Sequence, residues 1–174
     1  MHNAFVDLVR ELDRRAVRYV TIGVWGANSY ALSGSTVFHT EDRDLFLPLE
    51  PENLLRAWEA CEATGFDLRV GREPLDSPRD LWLAERRVLH RALTKAFGPG
   101  GLHVVLTLVM GEFEFEPVWT ERRTFLDSGT HVQVARLQHI IDSKIAADRP
   151  KDQLFLETHK EALRQLLDED QPLP

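Results

Sequence analysis

A single cysteine, Cys61, stands among 174 residues. One thiol builds neither a disulfide framework nor a cysteine-based zinc site. Long apolar runs are missing too: no stretch approaches a membrane span, and the leading "MHNAFVDLVRELDRR" lacks the apolar core of a signal peptide. A reduced, cytoplasmic protein with no membrane partner is expected. Basic charge is also scarce. There are 21 Lys and Arg against 28 Asp and Glu, a formal charge of −7, which makes the chain a poor candidate for a non-specific nucleic-acid coat and leaves room for a local basic site. Internal repeats and low-complexity segments are absent. What remains is ordinary for a globular chain: 43% apolar and 28% charged residues, enough for a single domain over 1–174 with a sizeable core.

Apolar periodicity divides the chain into elements. Phe5, Leu8, Val9, Leu12 and Ala16 fall at helical spacing over residues 3–16. "YVTIGV" (19–24) reads as a short strand. "GVWGANSYALSGST" follows as a turn into a helix, with Gly23 and Gly26 at the junction and Gly34 at the end. "DLFLPL" (44–49) is a second strand, stopped by Pro48 and Pro51. Pro51 also suits the first turn of a helix with the stripe Leu54, Leu55, Trp58 and Cys61, ending near Gly65. "GFDLRV" (65–70) alternates as a third strand, and Asp76, Ser77 and Pro78 start a helix for which Gly98 is the stop. "LHVVLTLV" (102–109) is nearly continuous apolar sequence, the mark of a strand buried on both faces. "THVQVARL" (130–137) is a last strand running into the helix "LQHIIDSKIAA", and Pro150 begins a final helix with Leu156, Leu163 and Leu167. The pattern predicts an α/β (α+β) fold: a mixed sheet of about five strands covered by helices. The core spans 1–135, and C-terminal helices over 136–174 pack on it.

"HTEDRDLFLPLE" (39–50) places Asp42 and Asp44 two positions apart at the mouth of an apolar run. Side chains alternate along a strand, so Asp42, Asp44 and Phe46 share one face. Two carboxylates side by side repel and raise at least one pKa. Two arrangements relieve this. In one, Asp42 caps a turn and Asp44 pairs with an arginine such as Arg43. In the other, the pair holds a hard divalent cation; Mg²⁺ takes oxygen ligands, keeps several waters, and is completed by substrate phosphates. Further on, the stripe Leu137, Ile140, Ile141 continues to Lys144. A lysine there either packs its stem with an i,i+4 contact to Asp148 or meets an anion. Arg149 and Lys151 in "RPKD" sit at a helix start, where cations oppose the helix dipole; a bound anion, or Asp148 and Asp152, balances them.

A strand, a glycine-bearing turn into a helix, then D-x-D opening the next strand resembles the nucleotidyltransferase superfamily, the DNA polymerase β-like fold. The residues that carry it are "VTIGVWGANSYALSG" followed by "TEDRDLFL". "VARLQHIIDSKIAADRPKD" (134–152) is similar to the C-terminal signature of the small bacterial branch that includes the abortive-infection toxin nucleotidyltransferases. The resemblance implies transfer of a nucleoside monophosphate from a nucleoside triphosphate to an acceptor hydroxyl, with release of pyrophosphate. It implies Mg²⁺ on Asp42 and Asp44. It places the triphosphate against Gly23, Gly26 and Asn28, with Lys144, Arg149 and Lys151 neutralising charge. The acceptor is an RNA end, a protein or a small molecule, and a cognate partner protein of a toxin–antitoxin-like system is a further expectation.

The chain also departs from that family. "LHVVLTLV", the strand expected to supply a third carboxylate, contains no acid, and Val105 aligns with the missing residue. His103 and Thr107 share its face. His103 is either a substitute ligand or base, or a satisfied core histidine. Glu112, Glu114 and Glu116 in "GEFEFEP" lie beyond the apolar strand and read as a solvated edge. The turn carries Gly23-Val24 and Trp25-Gly26 where the family shows Gly-Gly or Gly-Ser. An arginine that relatives carry shortly before D-x-D is absent, with Val37 and Phe38 in that region. A second function therefore stays open: a catalytically inactive nucleotide-binding or partner subunit. A third is a plain interaction domain, in which Asp42 and Asp44 face different environments.

Overall fold

Asn3 caps the first helix, α1 (Ala4–Arg14), by accepting a hydrogen bond from the Val6 N–H at 3.1 Å. The helix buries Phe5, Leu8, Val9 and Leu12, the stripe read from the sequence. The computed structural model describes residues 2–31 and 38–170; Gly34, the expected helix end, and Val37 lie outside them. The chain continues through β1 (Val20–Ile22), α2 (Gly23–Asn28), β2 (Asp42–Phe46), α3 (Pro51–Ala63), β3 (Asp67–Val70), β4 (Glu73–Pro74) and α4 (Leu81–Leu89). Then come β5 (Thr94–Phe97), β6 (His103–Thr107), α5 (Phe115–Thr120), β7 (Arg123–Asp127) and β8 (Thr130–Val134). Three helices follow: α6 (Leu137–Ala147), α7 (Pro150–Thr158) and α8 (Lys160–Glu169).

Among the described residues the strands form one eight-stranded mixed sheet in the order β4-β3-β5-β6-β2-β1-β8-β7. The expectation of about five strands is corrected by β4, β5 and β7. β5 lies inside the segment read as a helix ending at Gly98. The helix stops earlier, at Leu89, because Arg91 takes a positive φ of 48° without a glycine to announce it. Thr94 and Ala96 then bury alternate positions, and the Thr94 hydroxyl accepts the Trp58 indole N–H at 3.2 Å. β7 pairs with β8 through Ser128-Gly129, whose φ values of 49° and 79° are both positive, as the twist of a two-residue hairpin prefers. The "GEFEFEP" segment is a turn leading into α5, with its three glutamates exposed. The expected last helix is two helices meeting at His159.

β2 sits centrally, antiparallel to β1 and parallel to β6. Its register pairs Asp44 with Ile22 on one side and with Val105 on the other, and pairs Asp42 with His103. β6 is not buried on both faces. Val104 and Leu106 enter the core, while His103, Val105 and Thr107 alternate onto the opposite, partly open face. Val105 is an apolar residue on that open face, which is why the run looked continuous. Among the described residues no helix is long and apolar enough to cross a membrane.

Candidate active site

The period of β2 sends Arg43 to one side of the sheet and Asp42 and Asp44 to the other. Arg43 stacks its guanidinium 3.8 Å from the Trp25 ring centroid and 4.8 Å from that of Phe5. It is therefore not the partner of Asp44. The Asp44 side chain makes no hydrogen bond and no ion pair among the described residues. Burial first, and Asp42 second, raise its carboxyl above the usual aspartate value; Lys144, Lys151 and Arg149 pull the other way. Asp42 is more exposed, and its carboxylate lies 3.7 Å from the His103 imidazole. Both acids line the same two cavities, so they face one environment. Two carboxylates on one face, one of them half-buried and unpartnered, fit a single hard divalent cation.

Gly23 opens α2 directly beside this pair. Its φ is +69°, and a Cβ there would stand 2.6 Å from Asp44 Oδ2. Both facts demand glycine: the left-handed region disfavours a Cβ, and the carboxylate already fills the space. Gly23→Ala is expected to cost about 1–2 kcal/mol from the backbone alone and to push Asp44 out of line. Thermal melting should show a modest loss without ligand and a complete loss of added protection by Mg²⁺ with nucleotide. Gly26 is buried, and a Cβ on it would meet the Thr21 carbonyl and Ile140 Cδ1 at 3.0 Å, so it brings α2 close to α6. Asn28 lines neither cavity. Its amide donates to the Phe38 carbonyl at 2.8 Å and accepts the Phe38 N–H at 2.9 Å, which clamps the chain just before β2.

The other wall comes from α6 and α7. Lys144 does not pair with Asp148, which ends α6 at a positive φ of 49° and accepts from the Gln153 side chain. Its ammonium instead lies 3.5 Å from Asp152, and 4.8 Å above the Phe155 ring. Arg149 caps α7 and reaches the same carboxylate from two nitrogens, at 2.6 and 3.2 Å. The Asp152 side chain is 1% exposed. Burial alone would raise its pKa; the Arg149 hydrogen bond and the Lys144 charge outweigh that and hold it below the usual range. Burial lowers the Lys144 pKa, with Asp152 opposing. Lys151 is exposed and has no ion pair among the described residues.

The two cavities share Asp42, Asp44, Lys144, Arg149 and Lys151. One, of about 410 Å³, runs along α7 past Phe155 and His159. The second, of about 330 Å³, runs across the sheet past Val105 and Thr107 to Lys95 and Ser143. His103 lines a third cavity together with Glu41 and Arg43, and lines neither of the two that Asp42 and Asp44 share. The sequence offered Asp152 as a counter-charge for Arg149, as found, but not as the partner of Lys144, and sequence reasoning missed Lys95 as a lining residue. The alternation in "TKAF" was the available signal for Lys95, hidden because the segment was read as helix.

No family model matches the chain, and no curated protein matches it in sequence. Solved structures do match in three dimensions. The lincosamide antibiotic adenylyltransferase LnuA, with lincomycin bound, is 9% identical, with 92% of this chain and 97% of that one covered and a TM-score of 0.59. The antibiotic-resistance factor ANT(2'')-Ia in solution is 16% identical, covering 97% and 92%, with a TM-score of 0.52. Its crystal structure with adenylyl-2''-tobramycin is also 16% identical, covering 96% and 97%, with a TM-score of 0.53. The chain therefore has the fold of antibiotic nucleotidyltransferases.

Proposed function

We propose that the chain transfers a nucleoside monophosphate from a nucleoside triphosphate to a hydroxyl of a small-molecule acceptor. The observation that carries this reading is the Asp42–Asp44 pair on one face of β2, opposite Lys144, Arg149 and Lys151 in one cleft. The neighbours' adenylylated or bound antibiotics support a small-molecule acceptor over an RNA end or a partner protein. Asp42 and Asp44 would hold Mg²⁺, which would supply charge stabilisation to the reacting phosphates. Lys144 and Lys151 offset charge on the departing phosphates, with Arg149 beside them. The acceptor oxygen bonds to the α-phosphorus, the bond from that phosphorus to the bridging oxygen breaks, and pyrophosphate leaves. The hydroxyl proton passes to His103, which reaches the cleft only through its 3.7 Å contact with Asp42.

The test combines each of the four nucleoside triphosphates, Mg²⁺ and a panel of hydroxyl acceptors: a lincosamide, an aminoglycoside and an RNA with a free 3′ end. Mass spectrometry should find one acceptor heavier by a nucleoside monophosphate, with pyrophosphate released in equal amount. His103→Gln should then lower the rate by about 10²–10⁴-fold. Val105 favours a second reading, because an apolar residue stands beside Asp44 where an acid would complete a two-metal site. Tight Mg²⁺-dependent nucleotide binding with no product from any acceptor would select that reading, a nucleotide-binding subunit without catalysis. Absence of nucleotide binding would reject both.

A further inference from the structure

The sheet side of the cleft carries a charge that the proposed transfer does not yet use. The cavity across Val105 is lined by four cations, Lys95, Lys144, Arg149 and Lys151, against two carboxylates, Asp42 and Asp44. This basic site belongs to a chain whose formal charge is −7. Lys144, Arg149 and Lys151 come from one side, around the α6–α7 junction, and the first two share Asp152. Lys95 comes from the opposite side, on β5. It is exposed and has no ion pair among the described residues.

The sheet register places it. Asp44 pairs with Val105 on β6, and Val105 pairs with Lys95 on β5. Directly paired residues point to the same face, so Asp44, Val105 and Lys95 form a row across three strands. Neighbouring strands lie about 4.8 Å apart, so the backbone of Lys95 is roughly 10 Å from that of Asp44. A four-carbon stem is long enough to cross the apolar surface of Val105, and Lys95 lines the same cavity as the carboxylate pair. The carboxylates set the complementary limit. Two metal ions about 3.5–4 Å apart need bridging and flanking ligands. Among the described residues no group of three His, Cys, Asp or Glu side chains is placed to hold a metal.

We propose that Lys95 supplies the positive charge that a second metal ion would otherwise bring to this site. The chain binds its nucleotide with one divalent cation on Asp42 and Asp44, and the Lys95 ammonium contacts a phosphate oxygen from the β5 side, across Val105. This rests on the proposed nucleotide site and adds to it a stoichiometry and a residue. A merely solvated lysine on an open sheet face predicts no change in affinity when it is replaced.

The experiment uses the full chain with a non-hydrolysable α,β-methylene analogue of ATP at saturation. Mn²⁺ is titrated in and counted by electron paramagnetic resonance, and analogue affinity is measured by calorimetry. One Mn²⁺ per chain is expected. Lys95→Met should weaken analogue binding about tenfold or more, as the loss of a charge-assisted hydrogen bond does. Lys95→Arg should stay within a few-fold of the parent, and both variants should melt like the parent without ligand. Two Mn²⁺ per chain, or an unchanged affinity in Lys95→Met, overturns the role of Lys95 and leaves the proposed function standing. No analogue binding by the parent chain overturns that function and this inference together.

Discussion

Asp44→Asn should lower nucleotide transfer by about a hundredfold or more and yet raise the melting temperature of the ligand-free chain at neutral pH. The two effects share one cause. Asp44 is half-buried, unpartnered and crowded by Asp42, so its folded-state pKa lies above the ordinary value. An acid raised on folding costs stability wherever it is ionised in the native state. The cost is full above the folded value and disappears as the pH falls through it toward the unfolded one. The advantage of Asp44→Asn over the parent should therefore be greatest near neutrality and vanish in acid. The same crowding is what a bound cation relieves. Lewis-acid stabilisation of the α-phosphate is worth several kcal/mol, so its loss should cost roughly 10²–10³-fold or more in rate. Mg²⁺ with nucleotide should protect the parent against heat and leave Asp44→Asn unchanged. A variant that melts below the parent without ligand at pH 7, or keeps its Mg²⁺ protection, contradicts this account of the pair.

Asp152→Ala should be the most destabilising single change at the site. It removes a buried carboxylate and leaves the Lys144 ammonium, whose side chain is only 11% exposed, without its partner. Breaking a buried pair from one side costs about 3–5 kcal/mol. At about 2–4 °C per kcal/mol for a chain of this size, the melting temperature should fall by roughly 10 °C. The pH dependence runs opposite to that of Asp44. The Asp152 pKa is held below the ordinary value, so its stabilisation is present above the unfolded value and is lost as the pH falls through the folded one. Asp152→Asn should flatten that acid limb. A Lys144→Met/Asp152→Leu double variant removes both charges and should recover much of the lost stability, because a hydrophobic replacement carries no stranded ion. If Asp152→Ala and the double variant melt alike, the pair is not coupled as its 3.5 Å contact implies.

The shared face of Asp42 and Asp44 was legible in the sequence because it depends only on the two-residue period of a strand. The inward aim of Lys144 was legible for a similar reason: a helical stripe is a local property of spacing. So was the alternation of strands and helices, which implied a mixed sheet. Tertiary structure decided the rest. Asp148, four residues on from Lys144, was the local candidate for its partner. The crossing of α6 and α7 chose Asp152 instead, a carboxylate that Arg149 already holds locally across the first turn of α7. Gly23 looked like a turn residue, and only the register of β1 against β2 shows that Asp44 occupies the place of its Cβ. β5 escaped notice because Arg91 makes the left-handed turn where a glycine would have signalled it. With β5 hidden, Lys95 had no neighbour. The row Asp44, Val105, Lys95 comes from three segments far apart in the chain, and no period within one segment encodes which strands lie side by side.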